Sequence, residues 1–434
     1  MNIKVFKFGG ASVKDAENIK NTGSIMNQHH NDKVVMVVSA MGKMTNALED
    51  VLHTYYNGNI ESAKEKLEKI RNLHYNEVYA LEMGEPLISE LNDLLVSVEW
   101  ILEEELSEPY DYLYDQMVSV GELLSSRIMF HYLSKIGLQV AWLDVRDVLV
   151  TDETYREAKV IWDSTSEKIR KRVTELLKDH QIVITQGFIG STSENNTTTL
   201  GREGSDYTAG IFSYCLDAES MHIWKDVPGI LTADPDEFDH VTLIERLSYR
   251  EAVEMTYYGA KVIHPKTIKP IQNKGIPLYV RPFANPLNTG TLITEDTDSS
   301  YPPVLVIEPN QKLLHISTND FSFVAEHHLS SLFSLLAQHR IKVNMMRNTA
   351  ISFTISVHDE PKKINGFLED LKPAFKVLID NHLELITIRH YTDELLKKMK
   401  TGKVVLLEER LKNTVRMVAR DVPQMSRKFS KSGD

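Results

Sequence analysis

The run IVITQGFIG (182–190), followed closely by TTTLGREGSDYTAG (197–210), decides how this chain folds. The first stretch is a short unalternated apolar run rich in isoleucine and valine. Such runs suit parallel strands covered on both faces. The second crowds threonines, glycines, Arg202, Ser205 and Asp206 together just after it. It reads as a polar turn whose backbone comes close to a ligand, with Arg202 to clamp an anion and Asp206 to manage positive charge. A loop built only for connection rarely concentrates so much recognition chemistry. The stretch points to phosphate or carboxylate handling.

Working outward, VVMVVSA (34–40) repeats the buried-strand pattern, and IPLYVRPF (276–283) continues it. Between them lie helical periods. In KLEKIRNLHYNEVYALE (66–82), Leu67, Ile70, Tyr75 and Val78 recur at helical spacing, and MVSVGELLSSRIMFHYLSKIG (117–137) reads as one helix ending at Gly137. Strands alternating with helices predict an α/β domain with a mainly parallel sheet. The segment NPLNTGTLITEDTDSSYPP (285–303) is rich in Pro, Gly, Ser, Thr and acids, which sets a boundary near residue 300. Beyond it, LLHIST (313–318), a helix carrying Leu329, Leu332, Phe333 and Leu336, KVNMM (342–346), ISFTISV (351–357), INGFLEDL (364–371) and FKVLI (375–379) give β-α-β-β-α-β. That is one ferredoxin-like module. The rest, from His382 to about Asp421, offers pieces of an incomplete second, and the tail from 426 to 434 reads as disordered.

Composition narrows the classes. A chain of 434 residues with 42% hydrophobic content can bury large cores, and a net charge of -12 argues against nucleic acid as the main partner. The single cysteine, Cys215, allows no internal disulfide and sits in an apolar stretch as a small hydrophobe. The start, MNIKVFKFGG, lacks the apolar core of a signal peptide, and no run reaches the length of a membrane span. The Asn196-Thr197-Thr198 sequon therefore carries no weight, and a cytoplasmic enzyme is expected.

Other stretches each allow a bland and a functional reading. KFGGASV (7–13) is either a glycine turn beside a solvated lysine or a loop in which backbone N–H groups and Lys7 face one anion. It is neither a Walker loop nor a dinucleotide fingerprint. SAMGKMTN (39–46) supplies Ser39, Thr45 and Asn46 where open α/β sheets bind ligands, or is an ordinary turn with Thr45 capping a helix. Glu122, in SVGELLSS, is a lone acid in an apolar helix, at the surface or in a site. WKDVPGILTADP (224–235) is structural punctuation or a nucleotide loop, and Lys261 in YGAKVIHP (258–265) is a phosphate partner or a helix-end charge.

Taken in order, these stretches resemble the aspartokinase branch of the amino acid kinase family: KFGG-S-V, SA-x4-TN, V-S-x-GE, TTTLGR-x-GSD-TA, DVPGI-T-DP and GAKV-HP, from residue 3 to about 294. The resemblance implies an amino acid kinase αβα sandwich over 1–300 and an ACT-like regulatory and dimerisation region over 301–425. It implies ATP-dependent phosphorylation of L-aspartate, with Mg2+ on the phosphates. Lys7 would stabilise the phosphoryl group in transit, with Asp206 organising Lys7. Gly9, Gly10, Ser12, Ser39, Lys225, Asp226, Leu231 and Lys261 would line the nucleotide. Thr45, Glu122, Arg202 and Ser205 would hold aspartate, Arg202 taking a carboxylate and Glu122 the ammonium. No residue is assigned to a metal.

The chain departs from the family pattern at Ala11, often threonine, and Glu203, commonly glycine. Lys225, Leu231 and Asp236 replace a usual threonine, tyrosine and arginine. A kinase of the same fold acting on glutamate or acetylglutamate, and a silent amino-acid-binding regulator, are the competing readings. An incomplete second module leaves sheet edge uncovered, so a homodimer or higher assembly through residues beyond 300 is expected. The turn STNDFSFVAEHH (317–328) lacks glycine and Asn344 stands where a lysine-sensing relative has aspartate, so weak lysine control is expected, with Asp320 as a substitute partner.

Overall fold

The computed structural model describes residues 2–260, 263–295, 300–319, 323 and 325–422. Lys261, Asp320 and the tail from 426 to 434 lie outside the described residues. The chain divides into two compact units: Met1–Ile230, Leu243–Thr256 and Val262–Asp298 form the first; Leu231–Thr242, Tyr257–Lys261 and Ser299–Asp434 form the second.

The first unit carries strands β1 (Ile3–Phe8), β2 (Lys33–Val38), β3 (Val140–Leu143), β4 (Ile182–Gln186), β5 (Ile189–Ser191), β6 (Thr197–Thr199), β7 (Ser220–Lys225), β8 (Arg246–Ser248), β9 (Leu278–Pro282) and β10 (Thr291–Thr294). Eight of them form one sheet in the order β3-β4-β2-β1-β7-β9-β10-β8, parallel throughout except between β9 and β10. Residues 34–38 of β2 are completely buried, as their β-branched run requires. The helices are α1 (Ala16–Gln28), α2 (Met44–Tyr56), α3 (Ile60–Ala80), α4 (Glu85–Glu103), α5 (Tyr110–Val118), α6 (Val120–Lys135), α7 (Trp162–Asp179), α8 (Gly204–Cys215), α9 (Tyr249–Tyr257) and α10 (Pro265–Gln272). Helix α8 packs on β1, β2 and β7 and touches α7 and α10, whereas α6 packs on β2, β3 and β4 and touches α1, α2, α4 and α5. The sheet is thus sandwiched between two helical layers. Strand β1 has β2 on one side and β7 on the other, so the strand order reverses at β1. Open α/β sheets bind ligands at the carboxyl ends of strands beside such a switch point.

Several expectations change. Lys7, read as part of the KFGGASV turn or loop, is instead inside β1, paired in register with Val37 and Ile223. The expected helix over 117–137 breaks at Ser119, whose hydroxyl donates to the Gln116 carbonyl at 3.0 Å, a local bond that competes with the helix. Thr45 does not cap α2: the residue flanking the helix is Lys43, and Thr45 lies within the first turn. The threonines of TTTLGR are not turn residues. Thr197–Thr199 form β6, which pairs with β5, and all three are buried.

The second unit is a six-stranded antiparallel sheet, β12-β13-β11-β14-β16-β15. Its strands are β11 (Val304–Thr318), β12 (Val343–Asn348), β13 (Ser352–His358), β14 (Phe375–Arg389), β15 (Lys403–Arg410) and β16 (Thr414–Asp421), with helices α11 (Glu326–Gln338), α12 (Pro361–Leu371) and α13 (Asp393–Lys400). The order β12-β13-β11-β14, with α11 and α12 as crossovers, is the ferredoxin-like arrangement. Its core joins Leu314, Ile316, Leu332, Leu336, Phe353, Ile355, Phe367 and Leu371.

Strands β11 and β14 are far longer than LLHIST and FKVLI, because both run on through an irregularity. Asn310 (φ 57°) and His382 (φ 58°) sit in the left-handed region where the β11–β14 register shifts. The far halves of these strands, with α13, β15 and β16, enclose a second core of Leu305, Ile386, Ile388, Leu396, Met399, Val415 and Met417. Phe238 and Ala233 also pack there.

Candidate active site

The β1, β2 and β7 loops of the first unit leave the carboxyl ends of parallel strands, whereas the Arg202 turn follows β6, which pairs antiparallel with β5. The β1 loop and the β2 loop interlock: the Gly42 N–H donates to the Gly10 carbonyl at 3.0 Å, and the Ser39 N–H to the Phe8 carbonyl at 3.1 Å. A Cβ on Gly10 would stand 2.6 Å from the Gly42 carbonyl oxygen, so only glycine fits. Ser12 is buried, its N–H bonded to the Gly9 carbonyl at 2.9 Å. The Lys7 ammonium lies next to Gly9, so the cation and the glycine backbone share one edge, as the functional reading of KFGG requires.

Opposite stands α8. The Lys7 Nζ is 2.6 Å from the Asp206 Oδ1, with side-chain exposures of only 11% and 4%. Burial pushes the Asp206 carboxyl up, but the charges of Lys7 and Lys225 outweigh it and hold the group below its ordinary value. Lys225, half-buried at the end of β7, is thus within electrostatic reach of the pair, and Asp226 next to it is exposed. Ser205 lies in the first turn of α8, at the helix's positive end, between Gly204, whose N–H donates to the Gly201 carbonyl at 3.0 Å, and Asp206, whose N–H donates to the Glu203 carbonyl at 3.1 Å. A Cβ on Gly187, directly after β4, would fall 2.5 Å from the Ser205 Cβ, so this glycine lets α8 approach the strand end.

Glu122 is 2% exposed. The break at Ser119 starts α6 so that the Glu122 Oε1 accepts the Ala40 N–H at 3.4 Å, while Oε2 has no hydrogen-bond partner among the described residues. Burial pushes this carboxyl up to about 8, against the lowering effect of the Ala40 N–H. A buried carboxylate oxygen without a donor is costly unless a ligand supplies one. Ser125, one turn on, donates to the Ser39 carbonyl at 2.7 Å and fastens α6 to the same loop. Thr45, in the first turn of α2, is half-buried.

Arg202 precedes α8, is exposed, and makes no ion pair among the described residues. Glu203 follows it in the left-handed region (φ 55°), which accounts for glycine being common at that position. Its carboxylate accepts the His264 N–H at 2.9 Å. Leu231 belongs to the second unit, and Lys261 lies outside the described residues.

Sequence reasoning missed Gly187 and Ser119, and named Glu203 only as a departure from the family pattern. The signals were a glycine ending a buried strand and a serine beside the V-S-x-GE glutamate.

A model of the amino acid kinase family matches residues 2–282, and the chain belongs to that family. It is 31% identical to lysine-sensitive aspartokinase 3 of Escherichia coli over 413 residues, which is 93% of this chain and 90% of that one. It is 32% identical to chloroplastic aspartokinase 1 of Arabidopsis thaliana over 372 residues, 83% of this chain and 64% of that one. The crystal structure of E. coli aspartokinase III in complex with aspartate and ADP matches with a TM-score of 0.82 at 28% identity, covering 96% of both chains. The lysine and aspartate complex of the same enzyme matches with a TM-score of 0.80. The fold is therefore the amino acid kinase αβα sandwich with an ACT-like C-terminal region.

Proposed function

We infer that this chain is an aspartate kinase: it transfers the γ-phosphoryl group of ATP to the side-chain carboxylate of L-aspartate. The product, 4-phospho-L-aspartate, opens the synthesis of lysine, threonine and methionine, and this chain works in the cytoplasm. The observation that carries this reading is the buried Glu122 oxygen with no donor among the described residues, in the same unit as the exposed Arg202, which makes no ion pair among them. An amino acid zwitterion brings the two charges they lack. The E. coli relative at 31% identity, and its structure with aspartate and ADP, support the same substrates.

An aspartate carboxylate oxygen attacks the γ-phosphorus in line, and ADP leaves with the electrons of the broken P–O bond. No general base is needed, since the attacking carboxylate is already ionised at neutral pH. Lys7, held by Asp206, stabilises the charge spread over the moving phosphoryl, and the N–H groups of Gly9 and Gly10, with the Ser12 hydroxyl, donate to phosphate oxygens. Ser39, Lys225 and Asp226 complete the nucleotide side. Thr45 and Ser205 fix the aspartate between Arg202 and Glu122.

Among the described residues no group of three or more His, Cys, Asp and Glu side chains could hold a metal ion. The Mg2+ that such transfers use fits here as an ion carried by the nucleotide's phosphates and water, where it neutralises phosphate charge.

Among the described residues no helix is long and apolar enough to cross a membrane. Among the described residues, 377–380 of β14 pair with β11 and none of them with β16, and Leu378 is 74% exposed. A second copy of the chain covers that stretch in a homodimer. ATP turnover measured with aspartate, glutamate, acetylglutamate and no amino acid tests the assignment. Turnover with acetylglutamate in place of aspartate would replace it.

A further inference from the structure

Asp115, on α5, is fully buried and lies outside every assignment above. Its carboxylate takes nothing from its own helix among its hydrogen bonds. Instead it gathers two loops that are distant in sequence. The Thr199 N–H donates to Oδ2 at 2.8 Å and the Thr199 hydroxyl to Oδ1 at 2.7 Å. The Arg156 N–H donates to both oxygens, at 3.0 and 3.1 Å. The two loops are also tied to each other, the Ala158 N–H donating to the Thr199 carbonyl at 2.9 Å.

Each end of this clamp leads to the amino-acid side of the site. Thr199 ends β6, and Arg202 follows three residues later. Arg156 sits in the left-handed region (φ 68°) and its guanidinium reaches the Glu49 carboxylate at 3.1 Å. Glu49 lies one turn beyond Thr45 on α2. That guanidinium also lies over the Tyr114 ring, 4.1 Å from its centre, so its path is fixed by α5 as well. Only an ionised carboxylate offers acceptors alone, which these donors demand. Burial pushes Asp115 up to about 6, so the ionised form prevails at neutral pH.

We propose that Asp115 is a positioning residue: it sets where the Arg202 loop stands, and thereby the affinity for the amino acid, without touching substrate. The inference rests on the aspartate kinase reading for the identity of that amino acid, and on the hydrogen bonds alone for the hold on the loop. A carboxylate kept only for stability would loosen the whole unit when altered, and nucleotide and amino acid affinity would fall together. A positioning residue moves one and spares the other.

The experiment compares purified wild type, Asp115→Asn, Thr199→Val and the double variant. Four readouts are taken: KM for aspartate, KM for ATP, thermal melting, and trypsin cleavage after Arg202 without ligands. Asp115→Asn should raise the aspartate KM about tenfold, the scale of one buried hydrogen bond, with the ATP KM changed less than about twofold. Thr199→Val should raise the aspartate KM in the same direction but less. The double variant should be no worse than Asp115→Asn, since both act through one contact. Cleavage after Arg202 should be faster in Asp115→Asn.

An unchanged aspartate KM, or equal rises for aspartate and ATP, would overturn the proposal. If Asp115→Asn does not fold, Thr199→Val decides on the same criteria. If the wild type does not use aspartate, the functional reading fails, and the cleavage rates still decide whether Asp115 holds the loop.

Discussion

The Lys7 ammonium and the Asp206 carboxylate meet at 2.6 Å inside the protein, one from a central strand of the sheet and the other from the first turn of α8. A buried pair this close fixes both partners while leaving the ammonium's other hydrogens for a ligand. The arrangement supplies a positive charge that is already in place before the phosphoryl group moves.

Removing that charge is the direct test of its role. Lys7→Ala should lower kcat about a hundredfold or more, the scale of losing one preorganised charge in a transition state. Aspartate binding should change little. Melting curves must accompany the assay, because the variant leaves Asp206 buried and unpaired. Near-wild-type turnover by folded Lys7→Ala would show that the lysine is not catalytic.

Arg202 is exposed and makes no ion pair among the described residues, as a residue that takes a ligand carboxylate would. Arg202→Ala should raise the KM for aspartate and cost about 2–4 kcal/mol of kcat/KM, as when a two-pronged charged contact is lost and its partner left unpaired. ADP affinity measured by calorimetry without aspartate should stay the same. A loss of ADP affinity of similar size would move Arg202 to the nucleotide side.

Glu122 predicts a pH dependence. Its carboxyl titrates near 8 in the ligand-free protein, and only the ionised form attracts an ammonium. The KM for aspartate should therefore fall as pH rises from 6 to 8, by at most about tenfold per unit, and then level off. Stability runs the other way. The folded value lies above the unfolded one, so the unfolded chain loses this proton first. Stability of the ligand-free protein is therefore lost as pH climbs from about 4.5 to about 8. Glu122→Gln should melt higher than wild type at pH 8 while binding aspartate poorly. An aspartate KM flat across this range would contradict the assignment.

The exposed stretch of β14 around Leu378 predicts association. Light scattering at micromolar concentration should give a dimer, and Leu378→Lys should weaken it. A monomer for the wild type, unchanged by that substitution, rules out this stretch as an interface.

Lysine should be a weak effector. The Asn344 amide is buried and donates at 2.9 Å to the Gln311 Oε1, which also accepts the Ser356 hydroxyl at 2.9 Å. Thus Asn344 is neutral and already engaged, whereas regulation needs about 1–3 kcal/mol of differential affinity. Activity at subsaturating aspartate, titrated with lysine, threonine and both, should show little inhibition at sub-millimolar lysine. Strong inhibition there would make the C-terminal unit a lysine sensor.

What the sequence made legible was the buried sheet and the chemistry on its rim. Runs such as VVMVV announce a strand covered on both faces, and the loops after such strands hold the ligand groups. Glu122 was harder, because an acid in an apolar helix looks the same at the surface as in a site. Only the break at Ser119 shows which way it turns. The buried threonines 197–199 were read as a turn, since polar residues hydrogen-bonded inside a protein are indistinguishable from solvated ones until their partners, here Asp115 and Thr151, are known. The lengths of β11 and β14 were hidden by Asn310 and His382, whose left-handed backbone looks like the end of a strand and is instead a bulge within one.

Those two long strands dictate an order of assembly. Residues 304–308 of β11 pair with 385–389 of β14, and everything needed for the ferredoxin-like half lies between them. The half built around α13 is therefore discontinuous in the chain, with the other half inserted into it. Bringing its first strand to its second across an unstructured segment would carry the full entropy of closing that loop. Once the inserted half has formed, its own β11–β14 ladder holds the two segments side by side, and the remaining pairs extend that ladder. During synthesis the inserted half is complete before α13, β15 and β16 have been made. A lesion in its core, at Phe367 or Leu336, would thus be felt first as a failure of the other half to close.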